Sequence, residues 1–182
     1  MSTYHEPVLA EEMLALLITD RDGIYVDGTV GGGGYAEMIF GRLGPRGRLI
    51  GMDADAEAIE ESRLRLNRSD PRVILVRANF SRLASELGAL GIHRLAGIVL
   101  DLGVSSHQID RAERGFSFRA EAALDMRMDS RRPLSARDVI NSYPQERLEE
   151  VIREYGEEHA ARRIARALVR ARPIATTGSS TA

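Results

Sequence analysis

Short apolar segments alternate with helical patterns over the first part of the chain. Four apolar runs predict β-strands at Ile24–Asp27, Arg48–Asp53, Val73–Arg77 and Gly97–Asp101. The last contains three consecutive apolar residues, Ile98 to Leu100, which predicts burial on both faces. A first helix is predicted over Tyr35–Leu43. A second is predicted from the N-cap candidate Asp55 to Leu66, with Ile59, Arg63 and Leu66 on one face. A third is predicted after the cap candidate Ser81, with Leu83, Leu87 and Leu90 as an apolar stripe. Alternating apolar strands and helices predict a parallel sheet with helices on both faces.

The strand pattern stops near Ser106, and the following residues are predicted to be helical and rich in arginine. Ser135 and Asp138 form a candidate capping box. A helix from Pro144 is predicted to bury Leu148, Val151, Ile152 and Tyr155 before Gly156. A last helix over Glu157–Arg172 is predicted to turn Ile164, Ala165 and Leu168 inward and Arg162, Arg163, Arg166 and Arg170 outward. We therefore expect residues 1–106 to form one part, 107–175 a second and 176–182 a tail.

Composition excludes several kinds of chemistry. All 25 basic residues are arginine and cysteine is absent, so the chain offers no Walker lysine, Schiff base, thiolate nucleophile or thiolate zinc site, and no metal site is predicted. The net charge of −2 means that a nucleic acid would have to bind a local basic surface. The apolar runs are too short to cross a membrane and the N-terminus lacks a signal-peptide pattern, so a cytoplasmic protein is expected.

A glycine-rich segment, Asp27-Gly-Thr-Val-Gly-Gly-Gly-Gly-Tyr35, joins the first predicted strand to its helix. Glycines there let the backbone approach a ligand closely. Gly31, Gly33 and Ala36 also satisfy the spacing of dinucleotide-binding folds. A pyrophosphate would sit poorly beside the carboxylate of Asp27, whereas S-adenosylmethionine carries an ammonium and a sulfonium that a carboxylate favours. The segment therefore favours S-adenosylmethionine over NAD.

Polar or aromatic residues follow the other predicted strands. Asp53 is placed to accept hydrogen bonds from ribose hydroxyls, because Asp55 is the better helix cap and leaves Asp53 free. Phe80 could stack on an adenine, or it could be a hydrophobic staple. Asp101 could orient and deprotonate an exocyclic amine, or it could merely cap backbone groups at the end of its strand.

Several motifs together resemble one family. They are His5-Glu-Pro-Val-Leu9, the glycine segment, Asp101-Leu-Gly-Val-Ser-Ser106, Glu113-Arg-Gly-Phe-Ser-Phe118, Leu124-Asp-Met-Arg-Met-Asp129, Tyr155-Gly-Glu157 and Arg163-Ile-Ala-Arg166. The chain resembles the bacterial small-subunit rRNA cytosine-N4-methyltransferases, also called RsmH or MraW, from about His5 to Thr177. The resemblance implies that cofactor contacts are made by Gly33, Gly34, Tyr35, Asp53, Phe80, Asp101 and Gln108. It also implies a cytidine of the decoding centre as substrate. Independently, the absence of cysteine favours an amine over ring carbon C5.

The chain departs from the family pattern at two points. Tyr35 stands where several members have histidine, so a contact there could be made by the backbone. The family also continues through a Ser-Phe-His-Ser-Leu-Glu-Asp-Arg-like motif that this sequence lacks. The chain is therefore expected to be a truncated or frame-shifted product that is inactive, or nearly so, by itself.

Two groups of arginines are candidates for binding RNA. Arg114, Arg119 and Arg127 lie among Phe116 and Phe118, which suits phosphate contacts combined with base stacking, although five acidic residues are interspersed. Arg162, Arg163 and Arg166 on the last predicted helix form the better electrostatic surface, although an outward charged face is often just solvated.

We therefore predict a Rossmann-like S-adenosylmethionine-dependent methyltransferase fold, α/β in class, with an incomplete parallel sheet ordered 3-2-1-4 and a helical insertion. The predicted reaction is methylation of the N4 amine of a cytidine in 16S rRNA of the small ribosomal subunit, with Asp101 as the catalytic residue and Asp27 and Gly31 among the cofactor contacts. The alternatives are a non-catalytic fragment that binds the cofactor or RNA, and an NAD-dependent oxidoreductase. The sequence leaves both a monomer and a homodimer open.

Overall fold

A computed structural model describes residues 9–66 and 70–178 of the chain. The motif that begins at His5 therefore lies outside the described residues except for Leu9. The chain forms two compact units, which meet in sequence between Ser106 and His107. We refer to residues before this point as unit 1 and to those after it as unit 2.

Unit 1 is built on a parallel sheet of four strands in the order β3-β2-β1-β4, which confirms the predicted order. The strands are β1 (Ile24–Asp27), β2 (Arg48–Asp53), β3 (Val73–Arg77) and β4 (Gly97–Val99). In the register, Asp27 lies opposite Gly51 of β2 and Val99 of β4. The carboxyl ends of β1, β2 and β4 consequently lie along one edge of the sheet.

The described residues of unit 1 contain four α-helices: α1 (Ala10–Leu17), α2 (Gly34–Arg42), α3 (Ala56–Arg65) and α4 (Leu83–Ala89). Three of them occupy the predicted positions. The pattern did not assign α1, a short helix that buries only Leu14 completely. A 3₁₀ turn at Phe80–Arg82 precedes α4, and its cap is Asn79, whose side chain accepts a hydrogen bond from the Ser81 N–H. The N-cap of α4 itself is Arg82, whose side chain forms no capping hydrogen bond, so the prediction of Ser81 as the helix cap was wrong.

Two hydrophobic clusters cover the faces of the sheet. Neighbouring strand residues divide between them, as Tyr25 and Leu49 belong to one cluster and Val26 and Ile50 to the other. This division follows from the alternation of side chains along a strand. The first cluster includes buried residues of α1, α2 and α3, and the second includes Leu87 of α4. The sheet is therefore packed on both faces, as the apolar strands predicted.

The buried face of α3 differs from the predicted one. Asp55 caps the helix as expected, since its side chain accepts a hydrogen bond from the Glu57 N–H. Ile59 and Leu66 are buried, but Arg63 is exposed and the third inward position belongs to Ser62, which is fully buried. A polar residue at that position faces the glycine segment.

Strand β4 is shorter and more exposed than predicted. It ends at Val99, and Ile98 and Leu100 are 40% and 42% exposed, so the expectation of burial on both faces was wrong. Among the described residues β4 pairs only with β1 and is an edge strand of the sheet. An apolar run predicts burial only if some other element covers it, and local sequence does not report whether one does.

Unit 2 contains α5 (Ser106–Asp110), which starts at the boundary, followed by α6 (Ala136–Ser142), α7 (Gln145–Gly156) and α8 (Ala161–Ala171). A 3₁₀ turn covers Ala112–Arg114. The expectation of a mainly helical second part was wrong for residues 115–135, which form no helix. Glycine, proline and closely spaced Asp–Arg pairs in that segment favour turns over helical hydrogen bonds.

Local signals in the later part of unit 2 were more reliable. The predicted capping box is present, with reciprocal hydrogen bonds between Ser135 and Asp138. Leu148 is buried, but Tyr155 is 77% exposed and was wrongly placed on the inward face. Helix α8 begins at Ala161 instead of Glu157, because Glu157 takes a left-handed conformation that ends α7. Ala165 is buried and the predicted outward arginines are exposed, which confirms the orientation of α8.

The expected tail starts later than residue 176. Thr177 is buried, its N–H donates to the Ala122 carbonyl, and its hydroxyl donates to the Ala120 carbonyl. Thr176 forms a bridge with Ala123. Both residues therefore belong to unit 2, because backbone pairing with residues 120–124 fixes them. Residues 179–182 lie outside the described residues.

Candidate functional site

Three aspartates gather at the carboxyl edge of the sheet in unit 1. Asp27 ends β1, Asp53 ends β2, and Asp101 follows β4 by two residues. The two outer carboxylates are close enough to Asp27 to disfavour its ionised form. In open α/β sheets, ligands bind at this edge where the strand order reverses, and here that point lies between β1 and β4.

The glycine segment is held over the end of β2. The Val30 N–H donates to the Met52 carbonyl at 2.8 Å, and the Gly31 N–H donates to Asp53 Oδ2 at 3.0 Å. Gly31 and Gly33 have φ angles of 51° and 81°, a region that strains residues with a Cβ atom. A Cβ atom on Gly33 would also lie 3.2 Å from the Ser62 backbone. Glycine is thus required by both conformation and space.

Ser62 fixes the same segment from the side of α3. Its hydroxyl donates to the Gly31 carbonyl at 2.8 Å, and the residue is fully buried. Both backbone polar groups of Gly31 are therefore held, the N–H by Asp53 and the carbonyl by Ser62. The hydrophobic pattern of the sequence does not single out Ser62. A serine three residues after a buried isoleucine, on a helix that follows the glycine segment, was the available signal.

Asp27 is a buried carboxylate in surroundings that disfavour its charged form. The residue is 1% exposed, Oδ1 accepts a hydrogen bond from the Thr29 N–H at 3.2 Å, and Oδ2 has no hydrogen-bond partner among the described residues. Burial raises the pKa of Asp27 to about 7, the Thr29 N–H opposes this shift, and the charges of Asp53 and Asp101 add to it. A buried carboxylate oxygen without a partner can accept a cationic donor at this position.

Asp53 was predicted to be free for a ligand, and the structure corrects this. Besides the Gly31 contact, its Oδ1 accepts a hydrogen bond from the Asp55 N–H at 2.9 Å. Burial raises the pKa of Asp53, and these backbone N–H groups oppose the rise. Each carboxylate oxygen has a second lone pair, so Asp53 can both hold the glycine segment and accept hydrogen bonds from ribose hydroxyls.

Asp101 is exposed at the edge of the site. Its backbone N–H donates to Thr29 Oγ1 at 2.7 Å. Its carboxylate forms no hydrogen bond or ion pair with residues 9–66 or 70–178, and so can accept a hydrogen bond from a substrate. The alternative role as a cap for backbone groups at the strand end finds no support in this part of the chain.

The remaining predicted contacts in unit 1 flank the glycine segment. Gly34 is the first residue of α2 and follows the left-handed Gly33, and Tyr35 is half-buried in the first turn. Phe80 is 39% exposed at the start of the 3₁₀ turn after β3. Gly28 permits close approach here, because a Cβ atom on it would lie 2.5 Å from Leu100 and 3.6 Å from Phe80. Stacking of Phe80 on an adenine stays a prediction.

In unit 2, the predicted contacts have different environments. Gln108 is buried in α5, whereas Arg119 is exposed. Arg127 is fully engaged in its own loop, since it pairs with Asp125 at 2.6 Å and donates to the carbonyls of Ser130 and Arg132. The Arg114 guanidinium donates to the carbonyl of residue 127 at 3.1 Å. These two guanidiniums close the loop, and their contact with RNA phosphate stays a prediction.

Helix α8 presents the other predicted arginines. Arg162, Arg163 and Arg166 are exposed, and their side chains form no ion pair or hydrogen bond within the described part of the chain. Two of them lie in the first turn, which contains no acidic residue. Cations there oppose the helix dipole and weaken the helix. These arginines therefore do not serve the stability of α8, and they are available to bind an anionic partner.

Within residues 9–66 and 70–178, no cluster of histidine, cysteine and acidic residues could hold a metal ion. No helix in the described ranges is both long enough and apolar enough to cross a membrane.

Comparison with known proteins identifies the group to which this chain is related. A model described as the MraW methylase family matches residues 2–181. The chain belongs to the MraW methylase family. Its α/β unit is accordingly a Rossmann-like methyltransferase fold.

Named proteins match nearly the whole of this MraW-family chain. It is 51% identical over 178 residues to the ribosomal RNA small subunit methyltransferase H of Syntrophus aciditrophicus, covering 96% of the chain and 56% of the relative. It is 49% identical over 181 residues to the protein of that name from Symbiobacterium thermophilum, covering 98% of the chain and 57% of the relative. The chain thus spans a little over half the length of these relatives.

Proposed function

We propose that this MraW-family protein binds S-adenosylmethionine and methylates the N4 amine of a cytidine in 16S rRNA. The observation that carries the proposal is the buried, unpartnered Oδ2 of Asp27 beside a glycine segment at the carboxyl edge of the sheet. The names of the relatives support an RNA substrate, and the absence of cysteine favours an amine over a carbon as acceptor.

The residues present fit the cofactor. S-adenosylmethionine supplies an activated methyl group on a positively charged sulfur. Asp27 would face positive charge of the cofactor, since a cation stabilises the ionised form of a carboxylate whose pKa burial has raised. Gly31, Gly33 and Gly34 would let the backbone approach it, with Tyr35 beside them. Phe80 would stack on its adenine, and Asp53 would accept hydrogen bonds from its ribose.

The proposed catalytic group is the Asp101 carboxylate. It would accept a hydrogen bond from the exocyclic amine of cytosine and so align the nitrogen lone pair. It would then take up the proton that the amine loses as its new bond to carbon forms. The described part of the chain leaves this carboxylate without a competing partner, as both functions require. Gln108 is kept as a proposed cofactor contact on the resemblance alone.

RNA would bind the exposed arginines of α8, with Arg119 as a further contact. Arg162, Arg163 and Arg166 offer guanidiniums that match phosphate oxygens, and no neighbouring acid in the described residues neutralises them by pairing. The small ribosomal subunit would supply the RNA, which implies that the protein works in the cytoplasm. A homodimer stays a prediction.

The test has a binding step and a transfer step. Calorimetry is expected to show binding of S-adenosylmethionine or its demethylated product, and no binding of NAD. Labelled methyl groups are then followed into small subunits from a strain lacking the modification, and nucleosides are analysed by mass spectrometry. Label on cytosine N4 is expected, and Asp101→Ala should suppress transfer far more than it weakens cofactor binding, to which Asp101 is a further proposed contact.

Other outcomes favour the alternatives. Tight NAD binding that is abolished by Asp53→Ala would support an oxidoreductase, although the Asp27 carboxylate disfavours a pyrophosphate. Cofactor binding without transfer, in the complete protein carrying this sequence, would support a binding module. Label on C5 or on a ribose oxygen would refute N4 as the acceptor.

A further inference from the structure

Thr29 joins two of the three aspartates at the carboxyl edge of the sheet. Its backbone N–H donates to Asp27 Oδ1 at 3.2 Å, and its Oγ1 accepts the backbone N–H of Asp101 at 2.7 Å. The second contact links residues 72 positions apart in sequence. One side chain therefore ties the turn after β1 to the turn after β4, at the height where both strands have ended.

The position of Asp101 depends on this contact because little else holds it. Strand β4 ends at Val99, and Leu100, Asp101 and Leu102 are all exposed. The last backbone hydrogen bond between the two segments runs from the Gly28 N–H to the Val99 carbonyl. Beyond that point the hydrogen bond to the Thr29 hydroxyl takes the place of the backbone hydrogen bonds between the strands. Without it, this exposed segment would be free to move, because it has no backbone pairing.

We propose that Thr29 is a positioning residue, whose hydroxyl holds the Asp101 backbone so that the carboxylate meets the substrate amine. The inference rests on the proposed role of Asp101. A general base must lie within hydrogen-bond reach of its proton, and small displacements of such a group reduce the rate strongly. Because Asp27 fixes the Thr29 N–H in turn, the carboxylate assigned to the cofactor and the one assigned to the amine share a single anchor.

The experiment compares Thr29→Val, Thr29→Ser and Thr19→Val. Valine is close to threonine in shape but cannot accept the Asp101 N–H, whereas serine keeps the hydroxyl. Thr19 is an exposed threonine of the same unit whose side chain forms no hydrogen bond in the described residues, which makes its valine variant the matched control. All variants are made in the complete protein carrying this sequence.

Two readouts are measured for each variant. The first is hydrogen exchange of the Asp101 amide by NMR without ligand, where Thr29→Val should speed exchange about tenfold relative to the parent protein. The second is methyl transfer to small subunits, where Thr29→Val should lower kcat about tenfold with the affinity for S-adenosylmethionine changed less than about twofold. Thr29→Ser should restore most of both, and Thr19→Val should change neither.

The outcomes separate this inference from the proposed function. Unchanged protection of the Asp101 amide in Thr29→Val would overturn the inference, as would faster exchange with an unchanged kcat. A loss of cofactor affinity equal to the loss of kcat would overturn it too, since Thr29 would then serve binding. If the parent protein methylates nothing, the proposed function fails, and positioning of a base by Thr29 is overturned with it, whereas the exchange data still show whether Thr29 anchors Asp101.

Discussion

At the scale of single residues, Asp27 is a carboxylate that the fold holds in a position unfavourable for its charged form. It is buried at the end of β1 with one oxygen unpartnered, and its neighbours of like charge make ionisation less favourable still. A carboxylate in this state destabilises the folded chain when it ionises. The arrangement is understandable if a positively charged ligand compensates for that cost.

The first prediction concerns the pH dependence of Asp27. The pKa of Asp27 is about 7 in the folded state and near 3.8 in the unfolded state. Between these pH values the folded chain keeps a proton on Asp27 that the unfolded chain has lost, so the free energy of unfolding falls as pH rises through this window. Asp27→Asn is expected to remove that fall and to be more stable than the parent by up to about 4 kcal/mol at pH 8, the free-energy equivalent of the pKa difference.

The same substitution should alter cofactor binding in the opposite sense. Affinity for S-adenosylmethionine is expected to rise between pH 6 and pH 8 as Asp27 loses its proton, and Asp27→Asn should flatten the rise attributable to this group. Chemical denaturation and calorimetry at three pH values measure both effects. A parent protein that is more stable at pH 8 than at pH 6, with the difference unchanged in Asp27→Asn, would contradict the assignment.

A second prediction concerns Ser62. Ser62→Ala removes the donor to the Gly31 carbonyl, and a lost buried hydrogen bond costs about 1 kcal/mol, so cofactor affinity should fall roughly fivefold if the segment must be held before binding. Ser85→Ala is the control, because the Ser85 hydroxyl donates only to the nearby Arg82 carbonyl. Equal effects of both variants on affinity would show that Ser62 is not specific to the site.

At the scale of elements, the junction between β1 and α2 depends on glycine conformations. Gly33 is the N-cap of α2 with a left-handed backbone, and α3 packs close beside it through Ser62. The helix start and the proposed cofactor surface are thus the same structure. Local sequence suffices to indicate such a junction, because few residues other than glycine adopt this backbone.

A third prediction tests this junction with two alanine substitutions in one segment. Gly33→Ala should lower the free energy of unfolding by about 1–2 kcal/mol and weaken cofactor binding, because φ is 81° and the new methyl would lie 3.2 Å from Ser62. Gly41→Ala, inside α2 with nothing within 4 Å, should raise stability by up to about 1 kcal/mol without changing binding. Thermal unfolding and calorimetry distinguish them. A Gly33→Ala protein with parental affinity would remove the glycine segment from the proposed site.

At the scale of the whole molecule, charge is distributed unevenly although the net charge is only −2. Many arginines are neutralised locally, as Arg147 is by Glu150 and Arg153 by Glu149. The arginines on α8 differ, since they are exposed and without such partners in the described residues. A surface of this kind attracts polyanions even when the protein as a whole does not.

The fourth prediction compares these two classes of arginine. Replacing Arg162, Arg163 and Arg166 with glutamine should weaken RNA binding and reduce the slope of log affinity against log salt by about 2, because each lost phosphate contact removes roughly 0.7–0.9 from the slope. Replacing the paired Arg147 and Arg153 should leave the slope nearly unchanged. Filter binding of a 16S rRNA fragment at several salt concentrations provides the measurement. Equal slopes for both variants would place the RNA elsewhere.

The sequence by itself determined the features that short-range chemistry controls. Strands β1, β2 and β3, the cap at Asp55, the capping box at Ser135 and the glycine segment follow from neighbours within a few residues, and the structure agrees with each. Their order in the sheet followed as well, because parallel strands joined by helices have few allowed arrangements. The three aspartates were identified because each ends or follows a strand.

Only the tertiary structure decided which partners those residues have. Asp53 was expected to be free and instead holds Gly31, Arg127 was a candidate for binding phosphate and also closes its own loop, and Ile98 was expected to be buried and is exposed. Ser62 and Thr29 acquire their roles from residues 31 and 72 positions away. Hydrogen bonds and burial depend on distances in space, and a periodic pattern along the chain records only which residues prefer to be buried.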